Sequence, residues 1–298
     1  MIHRFTHSFP GLYLSVFALV LLITAGCEII NPEEEIPAYI ELKSIGVDTI
    51  SGQGTSSSKI TDVWVYTNGS YLGTFELPAR IPILSKGKNN ITFGAGIQVN
   101  GIASTRDAYP FYKFIDSLEM ELVPGEVKTI DSMTVIYFPG LDFGNFWMED
   151  FEELNSTGIS IDTTEASLAN VEIESTVVFE GNQSLKLEVT PDRPLLVCAS
   201  PDGGQLLSVG KDIYLELNYR CNQSFQINLN AITFSGNRIV PVIKLNPMPD
   251  WNKIYIRLNP YINVNGDASR FQLMFYLVLA DGATQGLVYL DNIKLITN

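Results

Sequence analysis

The chain has 298 residues, 46% of them hydrophobic, and a formal net charge of −14. That acidity excludes a nucleic-acid partner, which needs clustered Lys and Arg, and it excludes electrostatic docking on anionic lipid. The two histidines, His3 and His7, both precede residue 27, so the body of the chain has no Ser-His or Cys-His nucleophile pair and no His-ligated zinc.

The chain starts with Arg4 and an apolar run from Gly11 to Gly26. A helix of that length spans about 24 Å, short of a hydrocarbon core of about 30 Å. A charged start, a short apolar run and small residues before a break describe an export signal over residues 1–26. Thr24-Ala25-Gly26-Cys27 resembles a bacterial lipobox, with Thr24 where that family has Leu. The resemblance implies cleavage before Cys27, lipidation of its thiol, and membrane attachment through that lipid. An ordinary signal peptide with an incidental cysteine is the alternative. Glu28, Glu33, Glu34 and Glu35 follow closely. This acidic cluster resembles the surface-export signal of Bacteroidota-type lipoproteins, which implies an outer-membrane protein facing the cell exterior. It also reads as a solvated tether over residues 27–37.

Residues 38–298 carry short alternating runs broken by Gly, Pro, Asn and Asp, with no sustained 3.6-residue period. The expected class is all-β, with two domains. "FPGLDFGN" sets the boundary, with a linker at 139–145. In the first domain, 38–138, Asn68-Gly69 suits a type I′ turn between "VWVY" and "YLGTF". The strand spacing suggests an immunoglobulin-like sandwich. "VYTNGSYLGT" resembles the PEGA-type modules of surface proteins. Tyr109-Pro110-Phe111-Tyr112 is an aromatic cluster with two readings: a contact patch for a partner, or a plug at one end of the sandwich.

In residues 146–298, "EDFEE", "FEGNQSLKLEV" and "VYLDNIKLI" fall in an order that resembles a galactose-binding-like jelly roll of the carbohydrate-binding-module type. The resemblance implies a non-catalytic, glycan-binding sandwich. Alternation sorts its faces. Ile213, Leu215, Leu217, Tyr219, Cys221, Phe225, Ile227, Leu229, Ile254, Ile256, Leu258 and the odd residues of 271–279 face the core. Tyr214, Glu216, Asn218, Arg220, Asn228, Tyr255, Arg257, Gln272 and Tyr276 face outward. Flat rings and planar polar groups suit the C–H faces and hydroxyls of sugars, so these residues form the candidate ligand face. A plain solvated face is the alternative.

The jelly-roll resemblance also implies a structural Ca²⁺, with Glu152, Glu180, Asn182 and Asp291 at the matching positions; these are hard oxygen donors. Asp291-Asn292 interrupts the alternation of Val288, Leu290, Ile293 and Leu295, as a bulge does. Glu149, Asp150, Glu152 and Glu153 are dense enough for carboxylate catalysis, but they lack the spacing of jelly-roll glucanases and lie away from the outward face. Cys198 and Cys221 suit a disulfide or two buried thiols. The expected protein is therefore a non-enzymatic surface lipoprotein that binds glycan. The alternative is an accessory subunit of an outer-membrane protein complex, for transport or assembly.

Overall fold

A computed structural model describes residues 34–141, 147–153, 159–161, 170–201 and 207–298. The signal segment, Cys27 and residues 142–145 of the expected linker lie outside the described residues. The chain is all-β, with a single five-residue helix among the described residues. None of their helices is long and apolar enough to cross a membrane.

The first sandwich comprises β1 (Ala38–Asp48), β2 (Asp62–Thr67), β3 (Ser70–Glu76), β4 (Ala79–Ile83), β5 (Gly87–Gln98), β6 (Arg106–Ala108), β7 (Ile115–Leu122) and β8 (Val127–Ile136). One sheet runs β4-β1-β8. The other runs β3-β2-β5-β6, with β7 also along β5. Asn68 and Gly69 take φ of 52° and 81°, the left-handed pair that the β2–β3 hairpin needs. Strand β1 pairs in parallel with β8, joining the two ends of the domain. Ile40, Leu42, Val63, Val65, Ile91 and Phe93 fill the space between the sheets.

The second sandwich comprises β9 (Met148–Glu149), β10 (Ser160–Ile161), β11 (Asn170–Glu174), β12 (Ser184–Val189), β13 (Leu195–Ala199), β14 (Ile213–Cys221), β15 (Phe225–Thr233), β16 (Gly236–Leu245), β17 (Met248–Arg257), helix α1 (Asn259–Asn263), β18 (Arg270–Val278) and β19 (Gly286–Thr297). One sheet runs β11-β12-β19-β14-β17 with β9 along β19; the other runs β10-β13-β18-β15-β16. From β12 on, the chain crosses repeatedly between the two sheets, as in a jelly roll. The residues that alternation turns inward on β14, β15, β17 and β18 make its core. The register between β14 and β19 shifts between Glu216 and Asn218, opposite the Asp291-Asn292 step, where Asn292 has φ of 49°. That bulge lets Leu290 and Ile293 both face inward. Cys198 and Cys221 are buried free thiols, not a disulfide. Burial raises the pKa of both.

The two sandwiches share a continuous apolar contact. Tyr214, Tyr255 and Ile296 of the second belong to the core cluster of the first. Backbone pairing extends the contact. Asn100 N–H donates to the Tyr255 carbonyl at 2.8 Å, and Arg257 N–H donates to Asn100 Oδ1 at 2.9 Å, so the first sandwich covers the edge of β17.

Candidate functional site

The residues expected to make one ligand face lie on two different sheets. Tyr214, Glu216, Asn218 and Arg220 are on β14, and Tyr255 and Arg257 are on its neighbour β17. Asn228, Gln272 and Tyr276 are on β15 and β18 of the opposite sheet.

The β14–β17 face is not open to ligand, which corrects the sequence-based expectation. Tyr214, Glu216, Asn218 and Tyr255 are at most 1% exposed. Alternation showed correctly that they leave the jelly-roll core, but they enter a second buried layer against the first sandwich. Tyr109 sits at the centre of that layer, its ring edge-on to Tyr214 at 5.3 Å and to Tyr255 at 5.0 Å. Tyr109, Phe111 and Tyr112 are therefore a contact patch whose partner is the other half of the same chain. Arg257 joins the contact through Asp107, at 3.8 Å, and Asp212. Arg220 is exposed at the far end of β14.

Glu216 is the buried anion of this layer. Its Oε1 accepts from Tyr109 Oη at 2.7 Å and Tyr137 Oη at 3.1 Å. Lys253 Nζ lies 3.0 Å from its Oε2, as an ion pair off the hydrogen-bonding direction. Lys294 Nζ donates to Tyr137 Oη at 3.1 Å and to the Thr55 carbonyl at 3.3 Å. Burial alone would raise the Glu216 pKa, but the Lys253 and Lys294 charges and the Tyr109 hydrogen bond outweigh it and hold it low. Burial lowers Lys294 to about 8. Tyr109, Tyr112 and Tyr137 are raised well above the usual phenol value, by burial first and then by nearby groups including the Glu216 charge. These groups serve cohesion between the sandwiches. Sequence alternation could flag Lys253 and Lys294 only as outward-facing, because it carries no information about a second layer.

The outer face of the other sheet offers binding chemistry. Across it, Val197 pairs with Tyr276 and Tyr276 with Gln226; Ala199 pairs with Met274 and Met274 with Asn228; Gln272 pairs with Asn230. Val197, Ala199 and Met274 form a small apolar cluster with Leu195 and Tyr276, separate from the sandwich core. Beside it, Asn228 and Asn230 are 4% and 7% exposed, and the Oδ1 of each is closed to solvent and has no hydrogen-bond partner among the described residues. Gln272 Nε2 donates to the Ser200 carbonyl at 2.7 Å. An apolar patch bordered by planar amides suits a ligand with both C–H faces and hydroxyls. Sequence alternation marked Asn228, Gln272 and Tyr276; Asn230 belongs with them by the same period.

Glu152, Glu180, Asn182 and Asp291 come into one neighbourhood, but their oxygens are turned to N–H groups. Glu152 accepts from Asn182 N–H at 2.7 Å, Asn182 Nδ2 at 3.1 Å and Gln183 N–H at 2.9 Å, which lowers its pKa. Gly181, at φ of 73°, leaves the room for this; a Cβ there would lie 2.3 Å from Glu152 Oε1. Asp291 accepts from the N–H groups of Phe179, Glu180 and Asn292 at 2.8–3.2 Å, yet burial still raises it to about 6. Glu180 accepts from Asn292 Nδ2 at 3.1 Å and from Thr55 Oγ1. No three acidic, His or Cys side chains among the described residues are placed to hold a metal ion. In this arrangement the set does not fit a Ca²⁺ cage. It ties the β9 entry, the loop before β12 and β19 together.

No protein-family model matches the chain, and no curated protein matches it. Solved structures similar to it include three carbohydrate-binding modules. One is the C-terminal family 22 module of Clostridium thermocellum Xyn10B, 16% identical, covering 51% of this chain and 92% of that one, with a TM-score of 0.37. Another is the first family 22 xylan-binding domain of Paenibacillus barcinonensis Xyn10C, 10% identical, covering 51% and 92%, with a TM-score of 0.37. The third is from a study of promiscuous modules of the β-sandwich superfamily, 15% identical, covering 89% of this chain and 99% of that one, with a TM-score of 0.40.

Proposed function

We propose that the chain is a non-enzymatic glycan-binding protein whose ligand lies on the outer face of β13, β18, β15 and β16. One observation carries this reading. Of the two outer faces of the jelly roll, the first sandwich covers one, while the other holds the apolar patch of Val197, Ala199, Met274 and Tyr276 beside the amides of Asn228, Asn230 and Gln272. The lipobox-like Cys27 and the acids after it support a lipid-anchored outer-membrane location facing the cell exterior.

The test is a glycan array with the mature chain and its Asn230→Ala/Gln272→Ala variant. Binding by the wild type and its loss in a folded variant is the expected result. Equal binding by both would remove this face from the reading. The rival, a subunit of an outer-membrane protein complex, draws on the fully exposed Phe234 at the β15–β16 turn and on Ile239, 45% exposed, beside the same face. A blank array together with a stoichiometric outer-membrane partner in a pull-down would favour that rival.

A further inference from the structure

The outer face of the β3-β2-β5 sheet in the first sandwich carries a belt of aromatic rings that no interaction described so far uses. Alternation along β2 turns Val63 and Val65 inward and Trp64 and Tyr66 outward. On the central strand β5, Gly94 stands opposite Trp64, Gly96 opposite Asp62 and Thr92 opposite Tyr66. A Cβ on Gly94 would lie 2.1 Å from the Phe114 ring, and one on Gly96 would lie 3.0 Å from the Trp64 ring. Both rings thus fill space that a side chain at these glycines would occupy. Tyr71 continues the belt, 5.5 Å from Trp64 and 5.4 Å from Tyr66, and Tyr66 reaches Phe114 at 5.7 Å. Tyr71 is 52% exposed.

The rim gives the belt a chemical preference. Arg106 is already held by Asp62 and by Glu76, the latter at 3.1 Å, so the local charge is net negative. Tyr71 Oη and Thr74 Oγ1 share a hydrogen bond of 2.7 Å. Ring faces are electron-rich, and the rim adds acceptors. Such a surface repels anions and attracts the electron-poor C–H faces of a neutral sugar, whose hydroxyls find the Glu76 carboxylate and the Tyr71–Thr74 pair. A second copy of the chain is disfavoured, since each copy carries a net charge of −14.

We propose that Trp64, Tyr66, Tyr71 and Phe114 form a second, independent binding surface for a neutral glycan. It goes beyond the jelly-roll site. The buried contact around Tyr109 holds the two surfaces in fixed relation, so one polysaccharide chain that reaches both gains avidity.

Affinity electrophoresis of the mature chain tests this, in gels containing xylan, mixed-linkage β-glucan or galactomannan. Four proteins are compared: wild type, Tyr66→Ala/Tyr71→Ala, the jelly-roll variant Asn230→Ala/Gln272→Ala, and the combination of the two. Thermal melts verify folding, and Tyr71→Ala alone replaces the double variant if that one unfolds. The expected result is that each variant loses about tenfold in apparent affinity for the retarding polysaccharide, and that the combination abolishes retardation. If the aromatic variant migrates as wild type while the jelly-roll variant loses all retardation, the second surface is overturned and the jelly-roll reading stands. The reverse pattern supports the aromatic surface and overturns the jelly-roll reading. Wild-type protein unretarded in all three gels overturns both. A folded aromatic variant that turns a wild-type dimer into a monomer in sedimentation, with retardation unchanged, makes the belt a self-contact and overturns the proposal.

Discussion

Tyr109 Oη donates a 2.7 Å hydrogen bond to Glu216 Oε1, and that bond crosses from the first sandwich to the second. A carboxylate on the outer face of a jelly roll would be solvated if the jelly roll stood alone. Here it is fully buried, and its partners are Tyr109 and Tyr137 from one sandwich and Lys253 from the other.

Glu216→Ala leaves Lys253 and Lys294 buried without their anion. The expected loss is about 3–5 kcal/mol, because breaking a buried pair strands the remaining charge. Tyr109→Phe removes one donor and keeps the ring, so about 1–3 kcal/mol is expected. Urea unfolding midpoints, at unchanged slope, measure both. A loss below about 1 kcal/mol for Glu216→Ala would contradict the role given to this pair.

The two sandwiches are expected to unfold as one unit. Calorimetry of the mature chain should give a single transition. A fragment of residues 147–298 exposes Tyr214, Tyr255 and Ile296 as well as Glu216, and is expected to melt lower or to aggregate. Two resolved transitions, with the second matching the fragment, would show that the contact contributes little.

Lys294 gives the interface a pH signature. Its native pKa is about 8, against an ordinary 10.5. Between these values the unfolded chain holds the extra proton, so this residue makes stability rise with pH over that range. The buried tyrosines act in the opposite sense above about pH 10, where unfolded phenols ionise and the native ones do not. Melting temperatures from pH 7.5 to 10 should therefore show a rising component that Lys294→Met abolishes. An identical slope in the variant would mean that Lys294 does not titrate there.

Asp291 has the mirror-image behaviour. Its carboxyl is raised to about 6 from an ordinary 3.8. The native state keeps this proton longer, so its contribution falls as pH rises from 4 to 6 and is then constant. Asp291→Asn should flatten that segment of the stability profile. Because N–H groups hold these carboxylates, excess EDTA at pH 7 is expected to leave the melting temperature unchanged. A lower one would mean that a cation is bound after all.

Cys27→Ser should abolish lipid labelling and release the protein from membranes, and protease treatment of intact cells should remove the wild type. Membrane retention of the cleaved variant would refute the anchor.

The sequence by itself determined which residues leave each strand's own core. Period-2 alternation separates Leu215 and Leu217 from Tyr214 and Glu216, and Asn68-Gly69 marks a hairpin, because both signals are written within a few neighbouring residues. It also located the Asp291-Asn292 bulge, where the alternation slips. Only the tertiary structure decided what the outward residues meet. Tyr214 and Tyr255 look the same in sequence as Tyr276, yet Tyr109 and its neighbours, more than a hundred residues away from Tyr214, bury the first two. No local period encodes that contact, since it depends on how one complete sandwich settles on another. The Trp64–Phe114 belt escaped the sequence reading for the same reason. The Phe114 and Trp64 rings come this close to the sheet only because Gly94 and Gly96, on a different strand, have no side chain in their way.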